Sequence, residues 1–123
     1  MRNPLQQFAL SQLAGIQQSL AEAADEADRE LRATKLASVS GGGAVRVTAN
    51  GLGEIIEVKL DPNVITTEPD ALALLEDLIA AAVRDVLGKA SAKTIEVRRQ
   101  KLKEAGPFAM LEQFGINLDA MGQ

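Results

Sequence analysis

The segment that most constrains the fold of this chain runs from Gly41 to Pro62 and reads GGGAVRVTANGLGEIIEVKLDP. Apolar residues alternate with polar ones in its first half, which is typical of a strand with one buried face. Asn50-Gly51 follows and predicts a two-residue hairpin turn, because Asn and Gly tolerate the positive φ that such a turn needs. A second alternating run ends at Asp61, since the proline after it cannot donate to a ladder. We therefore expect a β-hairpin at the centre of the chain.

A helical pattern precedes this hairpin and covers residues 4–33. Its apolar positions form a near-heptad seam, which predicts packing against another helix. The seam consists of Leu13, Leu20 and Ala27, with a second row of Gln17, Ala24 and Leu31. The middle of the helix is rich in acidic residues.

A second helix is predicted after the hairpin, beginning near Thr67. Thr67 and Asp70 have the spacing of a capping box, and Pro69 suits the first turn, where its missing N–H costs nothing. The apolar stripe of this helix comprises Leu72, Leu75, Ile79, Ala82, Val83, Val86 and Ala90. The stripe loses definition after Ala90, so we expect residues 92–104 to project from the body or to bend away from it.

The composition narrows the classes of function. Apolar residues make up 46% of the chain, aromatic residues only 2%, and there is no cysteine or histidine. Disulfides and zinc sites built from Cys or His are therefore excluded. Histidine, the side chain that most often transfers protons near neutral pH, is also absent. We expect no enzyme activity, no cofactor and no metal. The longest apolar run has six residues, against about 20 for a membrane span, so we predict a cytoplasmic protein without membrane contact.

Four features together resemble the YbaB/EbfC family of bacterial nucleoid-associated proteins. They are the glycine run, the V-x-V-T-x-N-G strand and turn, the I-x-V-x-L-D-P return strand and the helix L-L-E-D-L-I-A-A-A-V-R-D. The resemblance covers roughly residues 5–104 and implies an α+β fold of order α-β-β-β-α. Its three-stranded antiparallel meander includes a short strand over residues 36–40. It also implies an intertwined homodimer with helices that project like tweezer arms, and DNA binding in the nucleoid.

Helix length favours the same dimer. A helix over residues 68–104 would be roughly 55 Å long, whereas a compact domain of this size has a radius of gyration near 14 Å, as a rough scaling. One copy therefore cannot cover the whole helix, and a symmetric homodimer can. We assign residues 1–105 to this dimeric domain and residues 106–123 to an apolar C-terminal tail.

A basic cluster near the end of the second helix is the candidate DNA-binding site. Seven basic residues and two acidic ones lie between Arg84 and Lys103, although the whole chain has a net charge of −4. Such a cluster fits contacts to the DNA backbone rather than to bases. The predicted DNA-binding residues are Arg84, Lys93, Arg98, Arg99, Lys101 and Lys103. The alternative is a solvated helix end whose charges favour the helix dipole and pair with the acidic middle of the first helix.

Two further features have competing interpretations. The glycine run Gly41–Gly43 is not a phosphate-binding loop, because it leads into a strand and no lysine follows it. The tail either folds back over apolar helix surface or docks a partner protein through Phe108, Leu111, Phe114 and Ile116. The second interpretation belongs to a rival function, a dimeric protein-interaction module without a DNA role. The acidic net charge favours that rival, since it repels DNA at long range.

Overall fold

The computed structural model describes residues 3–105, and the predicted docking residues of the tail lie outside this range. The helices and strands follow the predicted order, α-β-β-β-α. Their bounds are α1 Pro4–Ala33, β1 Lys35–Ser40, β2 Val45–Asn50, β3 Ile55–Leu60 and α2 Pro69–Glu104. Short 3₁₀ turns lie at Gly41–Gly43 and Pro62–Val64. The α+β fold class expected from the sequence is confirmed.

The chain forms two compact units. The sheet unit contains Arg29–Ile95, and the helical unit contains the described residues on either side of it, 3–28 and 96–105. Both long helices contribute residues to both units.

A three-stranded antiparallel sheet with β2 in the middle is the centre of the sheet unit. Val45, Val47 and Ala49 of β2 are buried, and they pack with apolar residues of α2 such as Ala82 and Val86. The intervening residues of β2 point to the other face. The alternation in the sequence therefore predicted the core face correctly, because successive side chains of a strand point to opposite faces.

The predicted stripe of α2 forms the other half of this core. Leu75, Ala82, Val86 and Ala90 are buried, and Ile79 and Val83 are half-buried. Leu72, in the first turn, is instead exposed.

Polar contacts join α2 to β1. The Ser40 hydroxyl donates to the Leu78 carbonyl oxygen over 2.6 Å, and the Lys89 ammonium donates to the Ala37 carbonyl oxygen over 2.9 Å. The buried Ser38 hydroxyl donates to the Asp85 carboxylate over 2.5 Å. These bonds hold β1 to α2, and β3 is the edge strand on the other side of β2.

The turn between β2 and β3 differs from the prediction. It is not a two-residue turn with positive φ at Asn50 and Gly51, because the loop spans residues 51–54 and the positive φ, +85°, is at Gly53. Asn50 stabilises this loop through its side chain instead: Oδ1 accepts from the N–H groups of Leu52 and Glu54. Asn therefore acts as an Asx-turn residue here rather than as a residue in a left-handed conformation.

The start of α2 also differs from the prediction. Glu68, rather than Thr67, caps the helix, because its carboxylate accepts from the N–H groups of Asp70 and Ala71 at 3.2 and 2.7 Å. Pro69 is the first helical residue, as its missing N–H favours. The capping-box prediction was therefore wrong in register by one residue.

In the helical unit, α1 and α2 lie side by side. Ala23 and Ala27 of α1 are buried, and so are Val97 of α2 and Ala105, which follows α2. Of the predicted seam, Ala27 and Leu31 are buried and Leu20 is half-buried, whereas the other three residues are exposed in the single chain: Leu13, Gln17 and Ala24. After Ala90, Val97 is buried whereas Ile95 and Leu102 are exposed, and the helix continues to Glu104.

Candidate nucleic-acid interface

The last turns of α2 carry four of the six predicted DNA-binding residues, all within the helical unit. Helical periodicity separates them, because each residue turns the side-chain direction by 100°. Arg99 is exposed and falls on the side opposite the buried Val97, whereas Lys103 is half-buried and lies on a flank, about 120° from Val97. Lys101 falls on the same side as Val97. Arg98 lies on the flank between these sides. The outward side of the distal helix is therefore basic.

Arg98 forms an ion pair with the acidic middle of α1. Its Nη2 atom donates to Asp28 Oδ1 over 3.2 Å, and both side chains are about half exposed, at 48% and 46%. This contact is the pairing that the alternative interpretation of the basic cluster predicted. An exposed pair of this kind contributes about 0 to 1 kcal/mol, so it orients Arg98 without removing it from solvent.

Lys101 faces α1 rather than solvent. Its side chain is only 22% exposed and its Nζ lies 3.7 Å from Glu104 Oε2. Ser19, Glu22 and Glu26 of α1 line a shallow cavity with it. Acidic side chains of both helices line the cavity beside this ammonium, so Lys101 is less accessible to a phosphate than the exposed Arg98 and Arg99.

The other two predicted residues belong to the sheet unit, and they differ in their exposure to solvent. Arg84 is exposed, and helical periodicity puts it on the side of α2 away from Val86. Lys93 is half-buried on the same side of the helix as Ala90. Arg84 can therefore reach an anion from solvent, and Lys93 faces the packed side of α2.

Lys89 has a structural position beside Asp85. Its Nζ lies 3.5 Å from Asp85 Oδ2 and donates to the Ala37 carbonyl oxygen. The hydrogen bond from Ser38, with the positive charge of Lys89 beside it, holds the pKa of the Asp85 carboxyl below its ordinary value. This group of side chains fastens β1 to α2.

The open face of the sheet carries basic residues that the sequence did not mark as a site. Arg46 is directly opposite Lys59 on the neighbouring strand, and both are exposed. The alternation along β2 and β3 could have shown that these two residues share a face. Lys59 lies 3.9 Å from Glu57 on the same strand, so this face mixes both signs of charge.

The described residues contain neither a candidate metal site nor a helix that could span a membrane. No group of three or more acidic, histidine or cysteine side chains among these residues could hold a metal ion. None of the described helices is long and apolar enough to cross a membrane. The distal basic side of α2 is thus the feature from which a binding function can be argued.

Comparison with known proteins identifies the family. The model of the YbaB/EbfC DNA-binding family matches residues 5–104, so the chain belongs to this family. A nucleoid-associated protein of Dictyoglomus thermophilum is 42% identical over 96 residues, which cover 78% of this chain and 85% of the relative. A nucleoid-associated protein of Rhodococcus opacus is 35% identical over 100 residues, or 81% and 80% of the two chains.

A solved structure confirms the fold alone. The crystal structure of HP0035 from Helicobacter pylori matches with a TM-score of 0.66 and 23% sequence identity. The match covers 75% of this chain and 95% of that chain.

Proposed function

We propose that this chain is a nucleoid-associated protein that binds DNA through its phosphate backbone, as a homodimer and with little sequence preference. The observation that carries the proposal is the excess of positive charge on α2, where seven basic residues and two acidic ones lie between Arg84 and Lys103. Membership of a DNA-binding family supports the same function. A protein held on chromosomal DNA in this way resides in the nucleoid and influences its organisation and gene expression.

The principal contacts are assigned to Arg98, Arg99 and Lys103. Arg98 and Arg99 are exposed, and Lys103 is half-buried on a flank of the distal helix. A phosphate can approach the two guanidinium groups from solvent, with Lys103 beside them. Guanidinium and ammonium groups neutralise phosphates without reading base edges. Gln100, the one neighbouring side chain suited to base contact, already donates from Nε2 to Glu104 Oε1 over 3.0 Å. Backbone contact with weak sequence preference follows.

For DNA to bind, the positive charge near the end of α2 has to outweigh the repulsion between DNA and the net negative charge of the molecule. The net charge of the chain is −4, and a dimer carries twice that. Charges beyond a Debye length of about 8 Å are largely screened at physiological salt, so the nearest cations dominate once DNA is in contact. The Arg98–Asp28 pair is half exposed, and a phosphate can replace the Asp28 carboxylate as partner at a cost of about 1 kcal/mol or less.

The proposed dimer is supported by an apolar surface on β3 that one copy leaves uncovered. Val58 is opposite the buried Val47 in the register of the sheet, so the two side chains share the core face. Val58 is nevertheless 45% exposed, and Ile56, two residues before it, is 52% exposed. The polar bonds described above hold α2 to β1, on the far side of β2. A second copy can cover the β3 part of the core face.

Paired substitutions test the DNA site. Arg99→Gln with Lys103→Gln removes two positive charges from the distal end of α2. The matched control, Arg46→Gln with Lys59→Gln, removes the same charge from the open face of the sheet. Fluorescence anisotropy with a random-sequence duplex at low salt should show affinity lower by more than about tenfold for the first variant. The control should bind like the wild type, and equal loss in both variants would contradict the assignment.

Size-exclusion chromatography with light scattering tests the dimer. Ile56→Asp with Val58→Asp places charge on the proposed interface and should shift the mass from dimer to monomer. Lys59→Asp adds charge to the same strand on the opposite face and should leave the dimer intact. A wild-type chain that remains monomeric at micromolar concentration would contradict the dimer.

A further inference from the structure

The apolar face of α1 continues past the point where α2 covers it. Ala23 and Ala27 are buried in the helical unit, whereas every residue from 3 to 18 is exposed. Three large apolar residues of this exposed half fall on the same side of the helix as Ala23 and Ala27, at 100° per residue. These residues, the α1 stripe, are Leu5, Leu13 and Ile16.

The described chain ends at the edge of this uncovered surface. Ala105, which follows the last residue of α2, is buried and lines a shallow cavity with Ser19 and Glu22 of α1. The 18 residues 106–123 continue from that point. The tail therefore starts beside the first residues of α1 that lack a covering helix.

The tail has the length and the composition to cover the stripe. The exposed half of α1 is roughly 22 Å long at 1.5 Å per residue, and 18 residues span about 27 Å even at helical rise. They reach about 60 Å when extended. The large apolar residues of the tail are Phe108, Met110, Leu111, Phe114, Ile116, Leu118 and Met121. Such content is too apolar for a segment that stays fully in water.

We propose that residues 106–123 pack on the α1 stripe of their own chain. A second copy of α1 is the competing occupant, and charge does not decide between them because residues 3–18 contain no ionisable side chain. Tethering favours the tail over a free second copy, because a segment joined at the edge of its site has an effective concentration in the millimolar range. This intramolecular cover is independent of DNA binding, and its test needs no DNA.

Amide hydrogen exchange on the full chain tests the proposal. Residues 4–18 should exchange about tenfold or more slowly than in a chain truncated after Ala105, because covering the stripe stabilises that half of α1 against local opening. Equal exchange in the two chains would overturn the proposal.

Two substitutions refine this test. Leu13 lies on the stripe and Leu10 lies about 100° from its centre, although their exposures are similar at 53% and 47%. Leu13→Asp should accelerate exchange of residues 4–18 in the full chain as truncation does, and Leu10→Asp should not. Equal effects of the two variants would overturn the assignment of the stripe.

Crosslinking shows whether the tail of the same chain or a second copy of α1 covers the α1 stripe. The chain has no cysteine, so Gln12→Cys with Gln113→Cys introduces a single reactive pair without removing an apolar residue. A short bismaleimide should join the pair within one chain, giving a monomer band with altered mobility on a denaturing gel. A crosslinked dimer band alone, or protection that grows with protein concentration, would show a second copy on the stripe and overturn the proposal.

Discussion

Replacing Gly51 with alanine should destabilise the sheet unit strongly, because this glycine lies against the end of α1. Its N–H donates to the carbonyl oxygens of Leu31 and Thr34 at 2.8 and 3.1 Å. Its own carbonyl oxygen accepts from the Thr94 hydroxyl over 2.8 Å. The backbone of this one buried glycine thus joins the end of α1, the β2–β3 loop and α2.

The structure gives the size of the effect. A Cβ at position 51 would lie 2.8 Å from Leu31 Cδ2, 2.9 Å from the Leu31 carbonyl oxygen and 3.1 Å from Leu31 Cα. Two of these atoms are backbone, so a side-chain rotation cannot relieve the contact and the loop has to move. Overpacking costs about 1–3 kcal/mol, and the loss of a hydrogen bond adds about 0.5–1.5 kcal/mol. The free energy of unfolding should therefore fall by about 2–4 kcal/mol.

Denaturant unfolding followed by circular dichroism measures this change. All samples need the same protein concentration, since the proposed dimerisation makes stability concentration-dependent. The matched control is Gly88→Ala, where a new Cβ meets no atom within 4 Å. That change should stabilise α2 by about 0.5–1 kcal/mol, because alanine is the better helix former. A Gly51→Ala chain as stable as the wild type would refute the packing described here.

Two other substitutions have predictable effects. Asp28→Asn releases Arg98 from its ion pair and removes a negative charge near the proposed DNA site, so affinity for random duplex should rise by up to about fivefold at low salt. Unchanged or weaker binding would count against Arg98 as a phosphate ligand. Asp85→Asn should lower stability at neutral pH, because the depressed pKa of the Asp85 carboxyl in the folded state contributes stability above its unfolded pKa. That contribution disappears as the pH falls through the folded pKa, so stability curves of variant and wild type measured against pH should converge in acid.

The long helices and the central strand were predictable from the periodic spacing of apolar residues. The predicted helix over residues 4–33 has the observed bounds of α1, and the alternation of Val45 and Val47 identified the buried face of β2. These patterns depend on neighbouring residues only. The short strand β1 depended on the family resemblance, since its own pattern is weak.

The β2–β3 turn and the cap of α2 were harder to predict, because the sequence allows more than one local structure at each. Asn50 can adopt a positive φ or accept hydrogen bonds through its side chain, and the sequence does not distinguish these choices. The capping-box spacing of Thr67 and Asp70 gave no sign that the carboxylate of Glu68 would cap this helix end instead. At the turn and at the helix start, the backbone conformation of the residues that follow determines which hydrogen bonds form.

The sequence predicted a cluster of basic residues, but it could not show which of them face α1 and which face away from it. The difference between Lys101, which faces α1, and Arg99, which lies on the opposite side of α2, depends on where α1 lies. The pairing of Arg98 with Asp28 joins residues that are 70 positions apart. Such contacts exist only after the two helices pack.

A salt titration of DNA binding tests the central claim most directly. Three cations per protomer give six phosphate contacts in a dimer, so log affinity plotted against log salt should have a slope of about −5. Two unrelated duplex sequences should give the same line. A flat dependence on salt, or no binding at the lowest salt, would contradict the claim that the distal end of α2 binds phosphates.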